Sequence, residues 1–338
     1  VLVVFRQASY RRGLDERIEA LKLRFQTAVI AVDSVFELAL SQNHLTITQH
    51  GISVDLFDVE CRCLFLFSTF DDHRFSQPRK LGKRSLRPFE IRQWRAALDA
   101  VYFLLDEGYV ANHPLNASRA ANRAIAKRVL SDVGIPIWPS LVTNDLRSIQ
   151  TLVPRERYMV KHVSDTSYVS PGFLSAPFSL SEDVMADTLG ILAAPLDYQQ
   201  IAALSAEHRV YVFGDEAVCL QLNIPVENRA NVIDPRFQMD ISKQTSVCEN
   251  DEITTIALLS ARALHVQIVA IDIITVQRLH YVIDVNPHAS WHWLSHEVCS
   301  AIQTKFESFV ATLLMKKNVG AADIIAKGVA KDIALLSH

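Results

Sequence analysis

Glycine is scarce in this chain, at ten residues of 338. Neither G-x-G-x-x-G nor G-x-x-x-x-G-K-[ST] occurs, which excludes a phosphate cradle built on glycine-rich backbone. The five cysteines (Cys61, Cys63, Cys219, Cys248, Cys299) form no C-x-x-C pair, so neither a zinc knuckle nor a disulfide framework is expected. They read as buried reduced thiols, with Cys61 and Cys63 on one face of a strand. Long apolar runs are also missing. The best candidate, 263–276, is interrupted by His265, Gln267 and Asp272, and falls short of the roughly 18 residues of a membrane span. Excess charge of one sign is absent, with a net −3, so no nucleic-acid or membrane partner is expected from the molecule as a whole. No secretory-signal pattern opens the sequence, and a cytoplasmic location is expected. What is present is a 49% hydrophobic, 21% charged composition typical of a folded chain of two or three lobes.

The pattern along the chain predicts strands at 1–5, 28–32, 45–49, 52–57 and 63–69, with a helix over 14–26, hence a small α/β lobe at the start. His50-Gly51 reads as a turn. Residues 71–88 carry Arg74, Arg79, Lys80, Lys83, Arg84 and Arg87 and read as a loop, either a solvated connector or a clamp for an acidic partner. Helices are predicted over 89–107 and 117–133, the second stopped by Gly134 and Pro136. Lys127 is placed on the exposed side of that helix by the spacing of Ile125, Val129 and Val133. Beyond Pro139 the pattern turns strand-rich. Tyr158–Lys161 is a strand, 164–181 a polar stretch, and 209–213 with 217–224 a hairpin about Gly214-Asp215-Glu216. A helix over 253–265 is followed by a strand at 267–275 and its partner at 280–285, joined across Gln277-Arg278. Helices close the pattern over 296–315 and 320–336.

Chemistry concentrates in 267–294. Asp272 interrupts an apolar strand, and Asp284 and Asn286 alternate at the end of the next. A carboxylate there is costly unless it is paired with a neighbour such as Arg or bound to metal. Three oxygen ligands from two adjacent strands suit a hard cation such as Mg²⁺ better than His288 and His292 would suit zinc. Lys161 ends a strand, Arg209 begins one, and Arg236 closes Asp234-Pro235-Arg236. Together these cations and carboxylates are what phosphoryl transfer requires.

The order of these pieces resembles the ATP-grasp superfamily, and within it the microviridin-type (graspetide) ligases that macrocyclise ribosomal peptides. The matching segments are Asn122-Arg123 leading to Gly134-Ile-Pro-Ile-Trp-Pro-Ser-Leu-Val-Thr-Asn144, then Val160-Lys161. Tyr198-Gln199-Gln200-Ile201 with Glu207-His-Arg209-Val-Tyr-Val-Phe-Gly214-Asp215 follows, then Asp234-Pro235-Arg236. The last are Ala270-Ile-Asp272-Ile273, Val282-Ile-Asp284-Val-Asn286-Pro287 and Trp291-His-Trp293-Leu294. Arg123 stands where the family has Lys, and Asp284 where it has Glu. The tail after Pro287 lacks the family's glycine and closing acid.

The resemblance implies an α+β ATP-grasp fold: an N-terminal α/β lobe (1–112), a central subdomain (113–195) and a C-terminal subdomain (196–338), the last two β-rich and clasping ATP. It implies Mg²⁺ on Asp272, Asp284 and Asn286, and Arg123 and Lys161 on the phosphates. Gln199, Gln200, Ile201 and Glu207 would hold the nucleoside, and Arg209 and Arg236 would steady the γ-phosphate and an acylphosphate. The implied activity is an ATP-dependent carboxylate ligase forming ester or amide cross-links in an acidic peptide. A carboxylate–amine ligase on a small molecule or protein terminus, and a catalytically weak ATP-binding homologue, stay open, as does homo-oligomerisation.

Overall fold

The computed structural model describes residues 1–6, 14–31, 36–41, 44–58, 60–66, 80–81, 84–85, 87–105, 110–152, 158–163, 178–179, 194–202, 206–223, 245–287, 290–291 and 293–315. They fall into two compact units, Val1–His113 with the chain from Glu307, and Pro114–Phe306.

In the first unit, β1 (Leu2–Arg6), α1 (Leu14–Arg24) and β2 (Thr27–Ala31) make the expected strand–helix–strand. β3 (Glu37–Leu40), β4 (Leu45–Gln49) and β5 (Ile52–Asp55) form an antiparallel sheet, β4 and β5 turning at His50 and Gly51, both at positive φ. β6 (Arg62–Phe65), β7 (Lys80–Leu81), β8 (Arg84–Ser85), α2 (Arg87–Leu104) and β9 (Val110–Ala111) follow. The order β2-β1-β6-β9 is wholly parallel, which requires crossovers such as α1. Its core joins Val3, Phe5, Ile30, Phe65 and Val101, with Phe5 and Phe65 stacked at 4.4 Å. The basic run is not all loop: β7 and β8 pair as a short ribbon, Lys80 opposite Ser85 and Leu81 opposite Arg84. Arg74, Arg79 and Lys83 lie outside the described residues, as do the predicted helix over 320–336 and most of 164–181.

In the second unit the single helix expected over 117–133 is two, α3 (Pro114–Ala121) and α4 (Arg123–Asp132). Asn122 breaks them because its extended backbone and side-chain oxygen make it an N-cap: Oδ1 accepts from the N–H groups of Ala124 and Ile125 at 3.1 and 3.2 Å. Gly134, at φ +80°, ends α4. There follow β10 (Ser140–Thr143), α5 (Leu146–Leu152), β11 (Tyr158–Lys161), β12 (Phe178–Ser179) and β13 (Leu196–Gln200), and the strands pair antiparallel in the order β10-β13-β11-β12. One face of this small sheet packs Val160 and Tyr198 on Ile149; the other carries Lys161, Asp197 and Gln199.

Among the described residues, β14 (Ala206–Phe213), β15 (Glu216–Leu222), β16 (Thr245–Val247), α6 (Asp251–Ala263), β17 (Ile268–Val276), β18 (Leu279–Asn286) and α7 (His296–Met315) follow. The large sheet, β16-β15-β14-β17-β18, is antiparallel. Val210, Ile271, Ile273, Val282 and Val285 face a core shared with Ala126 and Leu130 of α4 and Ala257 and Ala261 of α6. Strand alternation therefore sends Arg209, Asp272 and Asp284 to the opposite face. A β-bulge makes this so on β18: Ile273 pairs with Val282 but Asp272 with Asp284, leaving Ile283 as the extra residue.

Candidate functional site

Three adjacent strands bring their polar side chains into one row, Arg209 opposite Asp272 and Asp272 opposite Asp284. Arg209 is buried, and its Nη1 lies 3.3 Å from Asp272 Oδ1. The pairing alternative for Asp272 is thus realised: the cost of an acid in this apolar strand is met by a guanidinium. Arg209 is further bracketed by the rings of Tyr211 and Trp293, at 5.6 and 5.9 Å from its Cζ. Tyr211 Oη and Trp293 Nε1 each donate to Ser290 O at 2.9 Å, which fixes both rings. Trp291 packs in the core against Tyr211, Phe213 and Phe306.

Asp284 is held from the other side by Arg123, the first residue of α4. Nε and Nη2 donate to Oδ1 and Oδ2, both at 3.0 Å, the two-pronged geometry that only arginine offers. The Arg123 N–H also donates to Val163 O at 2.8 Å and its Nη1 to His162 O, so the residue ties the end of β11 to β18. Burial, then the Arg123 charge, pushes the His162 pKa below the usual histidine value. A small, mostly apolar crevice lies beside this pair, lined by Ala120, Ala126, Leu130 and Val282 with Arg123, Lys127 and Asp284.

Lys161 ends β11 and is buried, opposite Asp197 of β13. Asp197 is fully buried and takes its ion pair from Lys127, 2.6 Å away; Lys127 also donates to Ser140 Oγ at 2.7 Å. This corrects the expectation that Lys127 lies on the exposed side of its helix. Ala126 and Leu130 face the core, Val133 is exposed, and Lys127 reaches the small sheet. Burial pushes its pKa below the usual lysine value, against the pull of Asp197. Asp197 Oδ1 and Gln199 Oε1 are buried without a hydrogen-bond partner among the described residues.

The remaining candidates fall as follows. Gln199 lies inside the small sheet, in register with Ser140 and Met159. The Gln200 N–H donates to Pro139 O at 3.2 Å and its carbonyl accepts from Trp138 Nε1 at 2.8 Å. Ile201 follows the strand directly. Glu207 sits two residues before Arg209 on the same face. Asn286 shares the Asp284 face, opposite Ala270. Arg236, His288 and His292 lie outside the described residues. The sequence reading missed Asp197 and the role of Lys127. The available signals were that Lys127 follows Arg123 by four residues, hence on one helix face, and that Asp197 adjoins the Tyr198-Gln199 hinge.

Among the described residues no group of three His, Cys, Asp or Glu side chains could form a metal cage. Two facing carboxylates and an amide do fit Mg²⁺, which takes one or two carboxylates and completes its shell from water and substrate phosphate.

No protein-family model matches the chain, and no curated protein matches it. Solved structures do. The macrocyclase MdnC bound with precursor peptide MdnA, from Microcystis aeruginosa MRC, is 14% identical with a TM-score of 0.72, over 92% of this chain and 99% of that one. A Chryseobacterium gregarium RiPP-associated ATP-grasp ligase in complex with ADP and a leader and core peptide is 15% identical, TM-score 0.68, over 90% and 95%. The ATP-grasp ligase PsnB, complexed with a phosphomimetic variant of a minimal precursor, Mg and ADP, is 15% identical, TM-score 0.63, over 91% and 98%. The likeness extends over nearly the full length of each: this chain has the ATP-grasp fold.

Proposed function

We propose that the chain is an ATP-dependent carboxylate ligase that acts on a peptide through an acylphosphate. The observation that carries the reading is the row Arg209–Asp272–Asp284, closed by bidentate Arg123, on the face of the large sheet turned away from its core. Such a row supplies carboxylate oxygens flanked by guanidinium groups, the donor set that a polyphosphate and its divalent cation need.

A substrate carboxylate oxygen attacks the γ-phosphorus of ATP, the bond from that phosphorus to the β–γ bridging oxygen breaks, and ADP leaves. A hydroxyl or amine of the substrate then attacks the acyl carbon. Phosphate departs, the nucleophile loses its proton, and an ester or amide remains. Asp272, Asp284 and Asn286 would hold Mg²⁺, which when bound neutralises charge on the phosphate oxygens. Arg123 and Lys161 bind phosphate oxygens, and the Lys127–Asp197 pair ties α4 to the small sheet that carries Lys161. Arg209 and Arg236 steady the migrating phosphoryl group. Ile201, Gln200 and Gln199 with Glu207 serve the nucleoside. A peptide is the favoured substrate because the similar structures MdnC, PsnB and the Chryseobacterium ligase hold precursor or leader and core peptides. The Arg- and Lys-rich run over 74–87 suits an acidic one. Cytoplasmic residence belongs to the same reading.

The test is mass spectrometry of acidic peptides encoded beside the gene, incubated with the protein, ATP and Mg²⁺. Loss of one water per bond formed, matched by ADP, is expected. ATP binding with neither water loss nor peptide-dependent ADP would overturn the ligase reading in favour of a nucleotide-binding homologue.

A further inference from the structure

β15 and the segment that enters α6 bring two thiols together. The β15–β16 ladder pairs Leu220 with Val247, and one step on the Cys248 N–H donates to Cys219 O at 2.9 Å. The two side chains face each other, with Cys248 Sγ 3.3 Å from Cys219 Sγ. Cys219 is buried in the core with Val210, on the face turned away from Arg209 and Asp272, whereas Cys248 is partly exposed. Cys299 is placed differently: its thiol donates to the carbonyls of Trp291 and Leu294. We propose that Cys219 and Cys248 are a modification site, closed to a reversible disulfide by a small disulfide oxidant such as oxidised glutathione.

The partly exposed partner reacts first. The Cys248 thiolate attacks one sulfur of the oxidant, whose other half leaves as a thiolate, giving a mixed disulfide. The Cys219 thiolate then attacks Cys248 Sγ and expels the second half. Two protein thiols are oxidised, one disulfide is reduced to two small thiols, and those thiols take up the two protons. The sulfurs must close from 3.3 Å to about 2.0 Å, a shift within reach of side-chain rotation. Facing residues of antiparallel strands keep their Cβ atoms about 4.5–5.5 Å apart, wider than the ~3.8 Å that disulfides prefer. A bond across such a pair forms at the wide end of disulfide geometry, and bonds strained in this way are the readily reduced ones. Burial, then the neighbouring Cys248, pushes the Cys219 thiol well above its usual pKa, so the second step accelerates as pH rises. The closed covalent loop contains residues 220–247, and with them Arg236.

The experiment treats the reduced full-length chain with oxidised glutathione at mildly alkaline pH, quenches with iodoacetamide in denaturant, and maps the peptides. A linked Cys219–Cys248 pair, lighter by two hydrogens and released by dithiothreitol, is expected, with no link in Cys248→Ser. Glutathione accumulating on Cys248 while Cys219 stays alkylated, or both thiols remaining fully alkylated, would overturn the proposal. The readout uses neither ATP nor substrate, so it stands apart from the ligase reading.

Discussion

Removing either half of the Arg123–Asp284 pair should cost more than a surface ion pair and less than a fully buried one. Their side chains are 15% and 17% exposed and the contact is bidentate, with both N···O distances 3.0 Å. With charge centres about 4 Å apart, the Coulomb attraction is about 4 kcal/mol at an effective dielectric near 20. Lost hydration and side-chain ordering offset part of it. Exposed pairs yield up to about 1 kcal/mol, and breaking a buried pair costs about 3–5 kcal/mol. A coupling of about 2 kcal/mol between the two residues follows. Asp284→Asn leaves the guanidinium with His162 O, and Arg123→Gln leaves the carboxylate with the Val285 N–H, so neither single variant strips its partner bare. The assay is urea unfolding of wild type, both single variants and the double, followed by tryptophan fluorescence, since Trp138, Trp291 and Trp293 all lie in the second unit. The double variant should be about 2 kcal/mol more stable than the sum of the singles requires. Added salt should change that figure little, because partly buried pairs are weakly screened. A coupling below about 0.5 kcal/mol would show the pair to behave as a surface contact, and the idea that Arg123 holds Asp284 in place would fail.

The other expectations are compact. Asp272→Asn and Asp284→Asn should each abolish Mg²⁺-dependent ADP release, and Asp272→Asn should also lower stability because buried Arg209 loses its carboxylate; ordinary ADP release from either variant counts against the metal assignment. Lys127→Met strands a fully buried Asp197 and should cost about 2–4 kcal/mol in urea unfolding, whereas Arg128→Met, whose Asp132 partner is exposed, should leave the midpoint where it was. Equal midpoints for the two would refute the buried pairing. Replacing Arg79, Lys80, Lys83 and Arg84 by Ser should raise KM for an acidic peptide at low salt and leave ATP affinity unchanged; a steady KM leaves only a connector role. Gln277→Asn with Arg278→Gly should stabilise the β17–β18 hairpin by about 1 kcal/mol, since both turn residues sit at positive φ, and a lowered thermal midpoint would contradict that.

The sequence by itself determined most of the local structure. An apolar run broken by Asp272 marked β17, the alternation of Asp284 and Asn286 marked the end of β18, Gln277-Arg278 marked their turn, and Gly134 marked the end of α4, because side-chain period and backbone freedom act over a few residues. It also placed Asp272, Asp284 and Asn286 on one hairpin. Tertiary structure decided what those acids face. Counting four residues back from Val276 and four on from Leu279 sets Asp272 against Ile283, not Asp284. In that strict register Asp284 would share the core face of Val282. The bulge at Ile283 turns it over. It adjoins Val282, whose N–H donates to Pro136 O and whose carbonyl accepts from the Trp138 N–H, contacts made by a segment far away in sequence. The same holds for Lys127. Helical spacing gives its angle around α4 but not what lies opposite, and only the arrival of β10 and β13 supplies Ser140 and the buried Asp197 that draw its ammonium inward. Patterns of period two and 3.6 are properties of neighbouring residues, whereas a bulge and a buried ion pair depend on which distant segments meet.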